Sequence, residues 1–168
     1  MVEITEKLDK KIPDVMIVKL PKFRAITSGN RENWDELMSW AWQENRFESL
    51  FRDIIFDCCD FLIRYDDRDE FIMAVKDNVT AADAKPFDII EFEGGLYAMA
   101  MSINDDYESI EKVEWKISRW LETTNFEYDN DASRGVMGHM PYIDDDVVKG
   151  LGFEQLQRYL PIKLKGGI

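Results

Sequence analysis

A single histidine and two cysteines serve a chain of 168 residues, and that scarcity removes several chemistries at once. His139 has no second histidine and no ligand-spaced cysteine pair beside it, so a zinc centre and a cysteine–histidine nucleophile pair fail on supply. Cys58 and Cys59 are sequence neighbours, too strained to bridge each other; a disulfide framework is out and both read as reduced. Long apolar runs are missing too, and MVEITEKLDKKIP at the start has neither a signal-type apolar stretch nor an Arg/Ser amphipathic pattern, which points to a soluble, cytoplasmic protein. No G-x-S-x-G, P-loop or dinucleotide fingerprint is present, since Gly94–Gly95 and Gly166–Gly167 stand outside any such pattern; no cofactor and no metal are expected. Basic residues are outnumbered as well. With 21 Lys and Arg against 34 Asp and Glu, the net charge of −13 repels phosphate backbones and argues against direct nucleic-acid binding, while leaving a basic protein partner open.

What the chain does have is apolar and aromatic mass: 45% hydrophobic residues, with ten Phe, six Tyr and five Trp, enough for the core of one domain spanning 1–168. The pattern repeats itself. VMIVKLPKFRAI at 15–26 and DIIEFEGGLYAMAMSI at 88–103 each read as strand and each precede a helical stretch, dividing the chain into halves of about 15–80 and 86–165. In the first helix, which Asn30 can cap, Trp34, Leu37, Met38 and Ala41 share a face; in the second, capped by Asp105 or Asp106, Ile110, Val113, Ile117, Trp120 and Leu121 do. RFESLFRDIIF adds a short second helix to the first half. Two strand-like segments close each half: CDFLIRYD and DEFIMAVKD around the Asp66–Asp67–Arg68 turn, then RGVMGHMPYI and FEQLQRYLPIKL. The expected fold is α+β: strand-helix-strand-strand used twice, an antiparallel sheet with helices on one face, a ligand groove where the halves meet, and LPKFRAI and GGLYAM near the sheet centre.

LPKFRAI, the W-x-x-L-x-x-x-W helix opening at Trp34, GGLYAM at 94–99, WKISRWL at 115–121 and RYLPIK at 158–163 resemble, in that order and spacing, the gyrase-inhibitor-like small-molecule-binding domains. That family includes the effector-binding domains of AraC-type and multidrug-responsive transcription regulators. The resemblance covers about Val15 to Lys165 and implies a groove for flat, hydrophobic, often cationic molecules. No helix-turn-helix segment is legible before the first strand, so a free-standing effector-binding protein is expected, with any transcriptional role running through a partner. One departure stands out. The family commonly carries a glutamate two residues before a tyrosine on the penultimate strand, and with Tyr142 matched to that tyrosine, Met140 stands where the glutamate would be.

The residues expected to contact a ligand are Tyr97, Met99, Trp40, Trp115, His139, Met140, Tyr142 and Glu154. Trp40 and Trp115 fall off their helices' apolar stripes, so they either edge the groove or pack against the partner half. Tyr97 and Met99 alternate with alanines that suit close helix packing, which sends them to the open face, a core role for Tyr97 remaining equally open. Glu154 is the first substitute for the missing carboxylate. His139 reads as a surface or groove-edge residue, and Asp144–Asp145–Asp146 as a solvated turn or helix cap. Three function classes remain: a small-molecule-binding module, which fits best; a hydrolase of reactive hydrophobic compounds, for which Glu154 and Tyr97 would be acid and tyrosine; and an acidic protein-interaction module directed at a topoisomerase.

Overall fold

The computed structural model describes residues 14–29, 34–43, 45–51, 60–131, 133–141 and 145–166. Nine strands and four helices alternate along these: β1 (Met16–Leu20), β2 (Phe23–Thr27), α1 (Trp34–Ala41), α2 (Arg46–Leu50), β3 (Asp60–Arg64), β4 (Asp69–Ala74), β5 (Asp88–Phe92), β6 (Gly95–Ile103), α3 (Tyr107–Glu122), β7 (Phe126–Tyr128), β8 (Val136–His139), α4 (Asp145–Leu151) and β9 (Gln155–Leu164). All pairings are antiparallel, in the order β1-β6-β9-β8-β3-β4-β2-β5, with β7 added on β9. Exchanging β1 with β5, β2 with β6, β3 with β8 and β4 with β9 reverses that order onto itself, so the duplicated pattern is a pseudo-twofold whose axis passes between β3 and β8.

This corrects one expectation. LPKFRAI and GGLYAM lie towards the two ends of the sheet, and β3 with β8 hold its centre. The reason is that each long strand segment is broken, at Pro21–Lys22 and at Glu93–Gly94, while the two remain paired in one register: Met16 opposite Met99 through Leu20 opposite Gly95, then Phe23 opposite Phe92 through Thr27 opposite Asp88. Proline without an N–H and a glycine at φ 71 make the bend. A side chain at Gly94 would stand 2.4 Å from the Leu20 carbonyl oxygen, so only glycine fits there. One arm of the bent ribbon joins β9 through β6 and the other joins β4 through β2, which curls the whole sheet.

The two long helices, α1 and α3, pack on the same face of the sheet. In the first half Leu37 and Ala41 of α1 bury against Ile26, Phe71 and Met73; in the second Ile117 and Leu121 of α3 bury against Ala98, Ala100, Leu160 and Ile162. Helix α3 begins where Asp106 Oδ1 accepts the Ser109 N–H at 3.0 Å, relieving one of its orphan donors. Beneath it lies an ion pair: Glu114 Oε1 receives Nε and Nη2 of the buried Arg158 at 3.1 and 2.5 Å. The sequence reading finds both main helices and eight of these nine strands in outline but not β7, and α2 is observed over Arg46–Leu50. Asn30, Ile54, Ile55, Cys58, Cys59, Tyr142 and Asp144 lie outside the described residues. No helix among the described residues is long and apolar enough to cross a membrane.

Candidate functional site

The face of the sheet opposite α1 and α3 is where the aromatic side chains collect. Leu20, Ala25, Phe61, Ile63, Ile72, Tyr97, Met137 and Tyr159 form its buried cluster, flanked by Val18, Phe23, Tyr65, Ile90, Phe92 and Met99, so every strand of the main path contributes and no helix does. Its curvature is visible in one distance. Strands β3 and β5 are separated by β4 and β2, three steps or about 14 Å in a flat sheet; yet the rings of Phe61 and Phe92 lie 6.3 Å apart. Such an approach requires the face to be concave. Phe61 also meets the edge of Tyr159 at 5.6 Å, and Tyr97 meets Tyr159 at 6.3 Å.

Four polar groups are set into this apolar face. Glu70 lies opposite Ile63, and Thr27 opposite Ile72, so both point to the concave side. The Thr27 hydroxyl donates to Glu70 Oε1 at 2.5 Å and Glu70 is only 6% exposed. His139, buried against the Phe61 ring, has Nδ1 2.9 Å from both the carbonyl and a carboxylate oxygen of Asp60. Both partners are acceptors, so Nδ1 carries the proton. The Tyr159 hydroxyl donates to Gln157 Oε1 at 2.5 Å.

The concave face meets solvent at a cleft of about 350 Å³ between the β3–β4 hairpin and the segment leading into β8. Tyr65 and Arg134 belong to both: each lines the cleft, Tyr65 packs on the concave cluster, and the Arg134 guanidinium lies 4.6 Å over the Tyr97 ring. Opposite, the Arg68 guanidinium lies 4.3 Å over Tyr65 and reaches Glu70 Oε2 at 3.4 Å. Arg134 donates to Asp129 Oδ2 at 2.7 Å and to the Leu96 carbonyl at 2.6 Å, a position open because residue 95 is glycine. Burial holds both phenols above the ordinary tyrosine range; the Glu70 charge adds to this at Tyr65, and Arg134 works against it at Tyr97.

Of the eight residues expected at a ligand, the structure brings three onto the concave face, Tyr97, Met99 and His139. Trp40 is on the other side of the sheet, packed edge-on against Phe51 and Phe87 in the core under α1. Trp115 stands exposed on the outer surface of α3 and Met140 is exposed just past β8. Glu154 precedes β9, exposed and bonded to the Asn104 side chain at 3.0 Å. That location separates it from Tyr97: Asn104 bonds to Glu154 at one end of the β6–β9 ladder and Tyr97 faces Pro161 near the other, about 20 Å away at a strand's rise per residue. Acid and tyrosine therefore do not meet. Tyr142 lies outside the described residues.

Sequence reasoning missed Glu70, Arg68 and Arg134. Glu70 was detectable: in DEFIMA, alternation puts it on the side of Ile72, away from Phe71 and Met73 that pack under α1. The arginines carried no such signal, since both sit outside the strands.

No protein-family model and no curated protein matches the chain. Solved structures do. The C-terminal domain of EcmrR is similar at TM-score 0.59 and 13% identity over 89% of this chain and 97% of that one. EcmrR in its complex with DNA is similar at 0.60 and 14% identity over 97% of this chain and 63% of that one. A hydrolase from Listeria innocua is similar at 0.58 and 14% identity over 95% and 98%. At such identities the likeness concerns the fold: an α+β chain with a curled antiparallel sheet and a few helices.

Proposed function

We propose that this chain is an effector-binding module that takes up a hydrophobic, aromatic small molecule on the concave face of its sheet. The observation that carries the reading is the composition of that face: Phe23, Phe61, Phe92, Tyr97 and Tyr159 from different strands, with no described helix contributing to the cluster and a buried carboxylate, Glu70, among them. A ligand gains about 25 cal/mol per Å² of its own apolar surface buried against such rings, and a few fixed polar groups set its orientation. Met99 and His139 edge the same face and are assigned to the site with Tyr97. Glu70 takes the role first given to Glu154, that of a carboxylate facing a ligand cation. The fold likeness to the C-terminal domain of a protein seen in complex with DNA supports a role as the ligand-sensing part of a regulatory system.

Calorimetric titration with tetraphenylphosphonium, a cation with four aryl rings, and with neutral triphenylphosphine oxide tests the reading. Both are expected to bind, and Tyr159→Ala to weaken both by roughly tenfold or more, the range of a well-packed aromatic anchor. Binding of both that is indifferent to Tyr159→Ala contradicts it.

A further inference from the structure

We propose that Arg68 and Arg134 are resident cations of this site: each occupies a tyrosine face and a carboxylate at the mouth of the concave face, and a cationic aromatic ligand enters by displacing them. The proposal rests on the concave-face reading and adds what a ligand must compete with.

Two seats of the same construction line the cleft, one from each half of the chain. In the first, the Arg68 guanidinium lies 4.3 Å over Tyr65, with Asp67 Oδ1 at 3.1 Å and Glu70 Oε2 at 3.4 Å. In the second, Arg134 lies 4.6 Å over Tyr97, with Asp129 Oδ2 at 2.7 Å. A ring face beside a carboxylate is what holds an organic cation. Without a ligand, such a seat would leave Glu70 buried and unpaired, which is costly, and the arginines remove that cost.

The two are held unequally, Arg68 loosely and Arg134 by Asp129, the Leu96 carbonyl and the Ile162 carbonyl at 3.4 Å. Arg68 has a side chain 43% exposed and only a long contact to Glu70, so it can turn into solvent. Arg134 is tighter, with 17% exposure and a carbonyl at 2.6 Å, but its buried Nε has no partner. Charge favours a cation over an anion as the competitor. Arg64, Arg68 and Arg134 line the cleft against Asp66, Asp67, Asp129 and Asp131, with Glu70 behind them, on a molecule of net charge −13. Tyr97 is 1% exposed with Arg134 over its ring, so removal of that guanidinium opens the ring to a ligand.

The test compares tetraphenylphosphonium with triphenylphosphine oxide on the wild type, Arg68→Gln, Arg134→Gln and Arg64→Gln. Arg64 lines the same cleft and pairs with Asp69 at 3.7 Å, so its variant reports the general effect of removing one positive charge. Arg134→Gln is expected to tighten the cation roughly tenfold and Arg68→Gln roughly threefold, with the neutral probe unchanged and Arg64→Gln below about twofold. Equal gains in all three variants, or an unchanged cation-to-neutral ratio in Arg68→Gln, overturn the proposal. Arg68 is on a surface hairpin, so its variant is expected to fold even where Arg134→Gln does not. If neither probe binds any form of the protein, the concave-face reading falls and takes this inference with it; if the neutral probe binds and only the ratio fails to move, the displacement alone is wrong.

Discussion

The two faces of the sheet are built from the same strands but to different specifications. Under α3 the sheet offers Ala98 and Ala100, small enough to let Ile117 and Leu121 seat closely, and it is sealed by the helix. On the concave side the same strand turns Tyr97 and Met99 inward, and no described helix joins their cluster. Rings from β2, β3, β5, β6 and β9 meet each other there instead. A face filled by large rings, with Glu70 and His139 set among them, is poorly explained as packing alone, because helix cover would bury the same area without burying a carboxylate. On the proposed reading the helix face carries stability and the concave face recognition, and substitutions can separate the two.

The largest expected effect is on the helix face. Ile117→Ala, at the fully buried sheet-facing side of α3, is expected to cost about 2–5 kcal/mol in denaturant unfolding and to leave ligand affinity of the folded protein unchanged. Next comes the ion pair under the same helix. Glu114→Ala leaves the Arg158 guanidinium, 5% exposed, without its acceptor and is expected to cost about 1–3 kcal/mol; Arg158→Met in the same chain should recover part of that loss, measured by the same unfolding curves. Asp106→Ala removes the cap of α3 and should cost about 1 kcal/mol, with no effect on binding.

The concave face has its own signature in pH. Tyr65 and Tyr97 hold their protons more tightly in the folded chain than the ordinary tyrosine value of 10.0, because burial disfavours the phenolate. The unfolded chain gives up those protons first, so the contribution is fully present below that value and is lost as the pH rises through the raised folded values. Thermal unfolding followed upward from pH 9 is expected to show this decline, and Tyr65→Phe or Tyr97→Phe to flatten it. A decline unchanged in both variants would place its origin elsewhere.

Why the helix face was legible in the sequence and the concave face less so follows from their patterns. Leu37 with Ala41, and Ile117 with Leu121, repeat at helical spacing, a signal carried within one segment. VMIVKLPKFRAI reads as one strand, and that Pro21 breaks it, bending a continuous ribbon and moving β2 and β6 away from the sheet centre, depends on long-range pairing. Alternation with alanines put Tyr97 and Met99 on the side of the sheet away from α3, and they lie on that side, Tyr97 buried in its cluster. Trp40 was misleading for a local reason: it is off the stripe of α1, and the edge of that core is completed by Phe51 and Phe87 from distant segments. Arg68 and Arg134 reach their tyrosines from loops, and nothing in one sequence encodes which ring a loop arginine will cover.

The central claim is that recognition belongs to the concave face and not to the exposed outer surface, and one paired measurement addresses it. Titration of tetraphenylphosphonium into Tyr159→Ala and into Trp115→Ala compares a ring buried on the concave face with one standing exposed on α3. The account predicts a loss of roughly tenfold or more for Tyr159→Ala and an unchanged affinity for Trp115→Ala. An unchanged affinity for Tyr159→Ala with a clear loss for Trp115→Ala would contradict it.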